Sequence, residues 1–104
     1  MYNLLRGINR VIPKKTIDTI LPILRTHQVI HARVFGSYAT GTERPESDLD
    51  LLVEMPPEKT YFDLGVLQMD LREALGKNVD LLFEGTTFHP SFRKAIEAHQ
   101  IQIL

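Results

Sequence analysis

The chain switches between two hydrophobic periods. From Thr16 to Gln28, Ile17, Ile20, Leu21 and Leu24 recur every three or four residues, which predicts an amphipathic helix. Pro22 lies inside that run and predicts a kink or a break. Val29 to Phe35 reads as a strand whose apolar end is Val34-Phe35, stopped by Gly36. Residues 37–47, SYATGTERPES, are rich in turn formers, and Leu49–Glu54 is again a strand, ended by Pro56-Pro57. Thr60 and Asp63 have the spacing of a capping box. They open a helix with Leu64, Leu67, Leu71 and Leu75 on one face and Gly76 as its stop. Val79–Phe83 is short and nearly continuous in apolar residues, as expected of a strand covered on both faces. Phe92 to His99 predicts a short helix. Ile101–Leu104 is too short to assign, and residues 1–15, broken by Gly7 and Pro13, read as a leader of weak preference.

The order helix, strand, loop, strand, helix, strand, helix predicts an α/β fold in which a small mixed β-sheet is packed with helices. With 104 residues, the chain is expected to form one domain over 1–104, with 1–15 an extension or partner-binding leader. Apolar residues at 43% and charged residues at 24% are ordinary for a globular protein. Twelve basic against thirteen acidic residues leave no electrostatic footprint for general nucleic-acid binding. No apolar run reaches the roughly 18 residues of a membrane span, and the N-terminus lacks a signal-peptide pattern. A cytoplasmic location is therefore expected. The absence of cysteine removes thiol catalysis and any cysteine-ligated metal.

One segment carries chemistry. Asp48 and Asp50 are two apart at the head of a strand, so both point to one face while Leu49 points to the other. Two carboxylates that close persist cheaply only if hydrated, protonated or neutralised by a cation. Oxygen ligands of this kind suit Mg²⁺, which fills its octahedron with water and phosphate oxygens. Asp80 interrupts the next apolar strand, which is costly without a partner. If its strand lies beside that of Asp50, three carboxylates share a face, enough for two metal ions roughly 3.5–4 Å apart. Ahead of the Asp pair, Gly36-Ser37 follows a strand end. Glycine permits close backbone approach to a phosphate, and the hydroxyl adds a donor. His27, His31, His89 and His99 have no metal-ligand spacing. Tyr38 and the Leu64–Leu75 stripe read as packing residues, and Arg93 and Lys94 as a solvated helix face.

Gly36-Ser37, ten residues, Asp48-Leu49-Asp50, and Asp80 in a later strand resemble the nucleotidyltransferase superfamily shared with polymerase beta. More narrowly, the chain resembles the minimal nucleotidyltransferases, small proteins encoded beside HEPN-domain toxins. The likeness runs from about Val34 to Phe83 and includes Phe35-Gly36-Ser37-Tyr38-Ala39, Pro45-Glu46-Ser47-Asp48, Leu51-Leu52-Val53-Glu54 and Val79-Asp80-Leu81. It implies the polymerase-beta-like fold. It also implies metal binding by Asp48 and Asp50, with Asp80 completing the catalytic site as base for the incoming hydroxyl. Gly36 and Ser37 would hold the triphosphate. Relatives often carry an arginine where this chain has Thr40, and Arg44 in the same loop is the candidate substitute.

The preferred reading is a Mg²⁺-dependent enzyme, using two ions, that moves AMP from ATP to a tyrosine hydroxyl of a HEPN-domain toxin and so acts as its antitoxin. Two alternatives stay open. One is an antitoxin that neutralises its toxin by binding alone. The other is a nucleotidyltransferase acting on a small molecule, which usually needs a further domain.

Overall fold

The spacing of Ile17, Ile20, Leu21 and Leu24 produces α1 (Lys14–Thr26), and all four side chains are buried. The computed structural model describes residues 12–84 and 89–104. The leader expected over 1–15 lies mostly outside those residues. Its described end belongs to the fold: Ile12 is fully buried and Lys14 opens α1. The helix passes through Pro22 without the expected break. Pro22 forfeits one backbone hydrogen bond, but buried side chains on both sides of it hold the two halves against the same core.

Gln28, with a φ of 63°, turns the chain out of α1 and into β1 (His31–Phe35). The remaining elements are α2 (Ser37–Thr40), β2 (Leu49–Glu54), α3 (Tyr61–Leu75), β3 (Val79–Phe83), α4 (Pro90–Ala98) and β4 (Gln100–Gln102). The predicted limits of β2, α3 and β3 coincide with the observed ones. β1 begins two residues later than expected, and α4 two residues earlier, because His89 caps it by accepting from the Ser91 amide through Nδ1 at 3.2 Å. β4, unassigned from sequence, pairs antiparallel with β1 and is reinforced by the Ile103 amide donating to the Ala32 carbonyl at 2.9 Å.

The strands form one mixed sheet in the order β3-β2-β1-β4. β1 is antiparallel to β2 and β4, whereas β2 and β3 are parallel and joined through α3. Strand alternation divides the side chains. Ala32, Val34, Leu49, Leu51, Val53 and Val79 join the main core with α1 and α3. Phe35, Leu52 and Leu82 face the other way and meet Ile96 of α4 in a smaller cluster. The latter face is only partly covered, and it is the one that carries Asp50 and Asp80. Among the described residues no helix is long and apolar enough to cross a membrane.

At its N-terminus α3 has the full capping box: the Thr60 amide donates to Asp63 Oδ2 at 2.8 Å, and the Asp63 amide donates to Thr60 Oγ1 at 3.3 Å. The Thr60 contacts hold the exposed Asp63 carboxyl below its ordinary pKa. Leu67 and Leu71 from the predicted stripe are fully buried, and Leu64 and Leu75 flank them. Leu67→Ala should therefore cost about 2–5 kcal/mol, the range for a large-to-small change at a closed core site. Urea denaturation monitored by circular dichroism measures it, and a loss under about 1 kcal/mol would mean the site collapses around the deletion.

Candidate active site

β1 ends where Phe35 sits opposite Asp50. Gly36 follows with φ 71° and ψ −149°, a conformation that glycine alone adopts readily. Its lack of a side chain has a second reason. A Cβ at Gly36 would overlap Asp50 Oδ2 and lie 3.2 Å from Asp50 Cγ. The backbone at the end of β1 thus presses directly against the central carboxylate. The chain then makes the single turn α2, closed by Ala39 and Thr40 amides donating to the Gly36 carbonyl at 3.0 and 3.2 Å. Gly41 ends the turn in the left-handed region.

Thr40 turns its hydroxyl back onto the loop, 3.2 Å from the Ser37 carbonyl and 2.8 Å from Thr42 Oγ1. It staples the turn. Tyr38 is buried in the core, as its packing role predicts, and its hydroxyl accepts a hydrogen bond from Lys77 Nζ. That bond ties the loop after β1 to the approach of β3. Ser37 is half-buried at the start of the turn.

The loop returns through a reverse turn, Arg44–Ser47, with Pro45 at its second position. The Ser47 amide donates to the Arg44 carbonyl at 2.9 Å, and Ser47 Oγ accepts from the Arg44 amide at 2.8 Å. This turn delivers Asp48 to the head of β2. Arg44 is exposed, and its guanidinium has no acidic ion-pair partner among the described residues.

In the parallel ladder Asp50 and Asp80 are direct Cα partners. The condition set by the sequence reading is met: the Asp80 strand lies beside the Asp48–Asp50 strand. Asp50 is half-buried between the Gly36 backbone and Asp80, and its carboxyl is pushed up to about 6. Desolvation is the largest cause; repulsion and a shared hydrogen bond with Asp80 and repulsion from Asp48 add to it. Asn78, which the sequence reading passed over, completes the rim. Its amide nitrogen donates to Asp48 Oδ2 at 3.1 Å and to Asp80 Oδ1 at 3.2 Å. An Asn two residues before a strand acid is too common a pattern to have flagged it.

Gly36 just past β1, Asp50 on β2 and Asp80 on β3 form one row across the sheet end, with Asp48 immediately before β2. A cleft of about 580 Å³ opens beside them, with Phe35, Leu82, Phe92 and Ile96 as its apolar wall and Asp50, Asp80 and Gly36 at its polar edge. Gln68 of α3 also lines it and donates to the Val79 carbonyl at 2.7 Å, fixing the backbone next to Asp80. Among the described residues no three acidic or histidine side chains already converge as a closed metal cage. The donor set nonetheless fits a hard divalent cation. It is all oxygen, and burial together with the neighbouring Asp80 and Asp48 makes ionisation of Asp50 costly, a cost that a cation would relieve. None of the histidines joins this rim: His27 Nε2 pairs with Asp70 Oδ2 at 2.7 Å, and His89 is a helix cap.

A family model described as nucleotidyltransferase domain matches residues 17–103. The chain belongs to that family. This nucleotidyltransferase is 40% identical over 85 residues to the Methanocaldococcus jannaschii protein named "Putative protein adenylyltransferase MJ0435", covering 82% of this chain and 90% of the relative. Among solved structures it is similar to one described as "putative minimal nucleotidyltransferase", at 34% identity and a TM-score of 0.68, covering 82% of this chain and 86% of that one. The fold is also shared with the minimal nucleotidyltransferase antitoxin solved with a tri-AMPylated HEPN toxin of Shewanella oneidensis. There the identity is 19%, the TM-score 0.67, and the coverage 88% of this chain and 71% of that one.

Two outcomes follow from the geometry. Gly36→Ala should both strain the backbone and displace Asp50, so nucleotidyl transfer should fall by at least about 100-fold, in line with small misplacements of reacting groups. A radiolabelled-nucleotide assay reads this, and near-normal activity would mean the loop tolerates the shift. Folding raises the Asp50 pKa from 3.8 to about 6, so the folded state retains a proton that the unfolded state has lost. Stability from this group is therefore fully present below the lower value and declines as pH rises through the upper one. Asp50→Asn should flatten that decline and melt above the wild type at about pH 8 without divalent cations. Parallel melting curves of the two proteins would sink the point.

Proposed function

We propose that this nucleotidyltransferase moves an adenylyl group from ATP to a tyrosine hydroxyl of a HEPN-domain toxin, acting as its antitoxin. The observation that carries the reading is that Gly36, just past β1, abuts Asp50 on β2, whose ladder partner on β3 is Asp80. It supports reading Gly36 as part of a phosphate loop, Asp50 as the central carboxylate and Asp80 as the outer one. The name of the archaeal relative and the partner in the Shewanella complex support the acceptor class.

In this reading the Gly36 backbone and the Ser37 hydroxyl hold the triphosphate, with Arg44 adding charge from the same loop. Asp48 and Asp50 would hold Mg²⁺, two ions in the full site, which supply charge neutralisation on the triphosphate and its leaving pyrophosphate. Asp80, farthest from the loop, accepts the proton of the acceptor hydroxyl. The hydroxyl oxygen forms a bond to the α-phosphorus, the bond from that phosphorus to the bridging oxygen breaks, and pyrophosphate leaves with the electron pair. The apolar wall of Phe35, Leu82 and Phe92 suits a flat ring brought up beside the carboxylates.

Toxin incubated with the protein, ATP and Mg²⁺ should gain one or more AMP units in mass and stay inactive after separation, since a covalent mark survives dilution and a bound cover does not. Asp80→Asn should lower kcat by about 10²–10⁴-fold with a smaller effect on ATP affinity. A toxin of unchanged mass that regains activity on separation would replace this reading with inhibition by binding alone.

A further inference from the structure

We propose that Asn78 is a positioning residue that sets the spacing of Asp48 and Asp80 before any cation arrives. The inference rests on the function proposed above, because it assigns those acids to the reacting centre. Asn78 stands immediately before β3. Its backbone carbonyl accepts from the Leu49 amide at 3.2 Å, fixing it at the mouth of the parallel ladder between the two acids. From there its one amide nitrogen reaches backwards to Asp48 Oδ2 at 3.1 Å and forwards to Asp80 Oδ1 at 3.2 Å. Both partners are acceptors, so the NH₂ rather than the carbonyl end must face them, and both of its protons are used.

The chemistry of the side chain suits the task. Asn78 lies outside the strand and is exposed, so core packing does not explain it. A lysine in its place would also bridge two anions, but its fixed charge would compete with a metal ion for them. An aspartate would add a further repelling charge. A neutral double donor holds two carboxylates apart at a set distance and leaves their outward oxygens available. Asp50, between them, receives no such bond from Asn78. The arrangement therefore braces the two outer acids and leaves the central one to respond to the ligand. Polar groups that orient metal-binding side chains in this way typically change metal affinity by roughly 10–100-fold when removed.

The test uses Mn²⁺ alone, titrated into the full chain without nucleotide and followed by its electron paramagnetic resonance signal. Asn78→Ala should raise the binding midpoint roughly 10–100-fold, while Asn78→Gln, which keeps the amide, should remain within about threefold of wild type. In transfer assays the deficit of Asn78→Ala should shrink as cation concentration rises, a recovery that a purely structural role does not produce. An unshifted midpoint in Asn78→Ala, an Asn78→Gln shift as large as that of alanine, an unfolded Asn78→Ala by circular dichroism, or no Mn²⁺ binding by wild type would each overturn the inference. Wild-type protein that binds Mn²⁺ and shows the Asn78→Ala shift but transfers no nucleotide would leave the brace standing and remove the proposed function.

Discussion

Two carboxylates face each other across a parallel strand pair, and the rest of the site is arranged around that repulsion. The register that makes Asp50 the partner of Asp80 is imposed by the core on the other side of the sheet. Shifting β3 by one residue would bring Asp80 into the apolar layer and expel Val79 and Leu81. Burial of Leu49, Leu51, Val53 and Val79 therefore holds two like charges together that would otherwise separate. The fold maintains a local electrostatic strain with hydrophobic free energy collected elsewhere, a trade characteristic of functional sites.

The neighbours of Asp50 modulate that strain in different ways. Gly36 brings its backbone against Asp50, and burial is the largest cause that raises the cost of ionising this carboxyl. Asn78 gives Asp48 and Asp80 a hydrogen bond each. Lys77, one residue earlier, spends its ammonium group on Tyr38. Among the described residues no basic side chain is seated against Asp50 itself. The centre is thus left electron-rich and under-compensated, the condition in which an arriving cation or a polarised hydroxyl gains most.

Legibility from sequence followed the strength of the local signals. β2, α3 and β3 were readable to the residue because each has a sharp boundary: Pro56-Pro57 after β2, the Thr60–Asp63 box and Gly76 around α3, and Gly76 with a charged lead-in before β3. Of the kink or break that Pro22 predicts, the break is absent, since local propensity cannot register the buried residues that hold both halves of α1. β4 was invisible because three residues carry no period, and its existence depends on the free edge of β1, some 70 positions earlier in the chain. In the site, Asp48, Asp50, Asp80, Gly36 and Ser37 were recognisable as types at a spacing. Their order across three strands was not, because it requires the pairing of β2 with β3. Asn78 had no signal at all: its importance lies in two distances rather than in its identity or position.

The parallel connection of β2 to β3 has a consequence for how the molecule becomes competent. The two strands cannot be joined by a tight turn; α3 must form and dock before Asp80 reaches Asp50. Contacts of such long sequence separation are late and slow events in folding. Partly folded chains can hold the β1–β2 hairpin, with Gly36 and Asp50 already close, and still lack the outer carboxylate and its Asn78 brace. Chemical competence therefore requires the β2–β3 crossover and not the β1–β2 pair alone. A chain that has paired only β1 with β2 lacks the outer carboxylate, so the topology ties the completed acid set to the completed sheet.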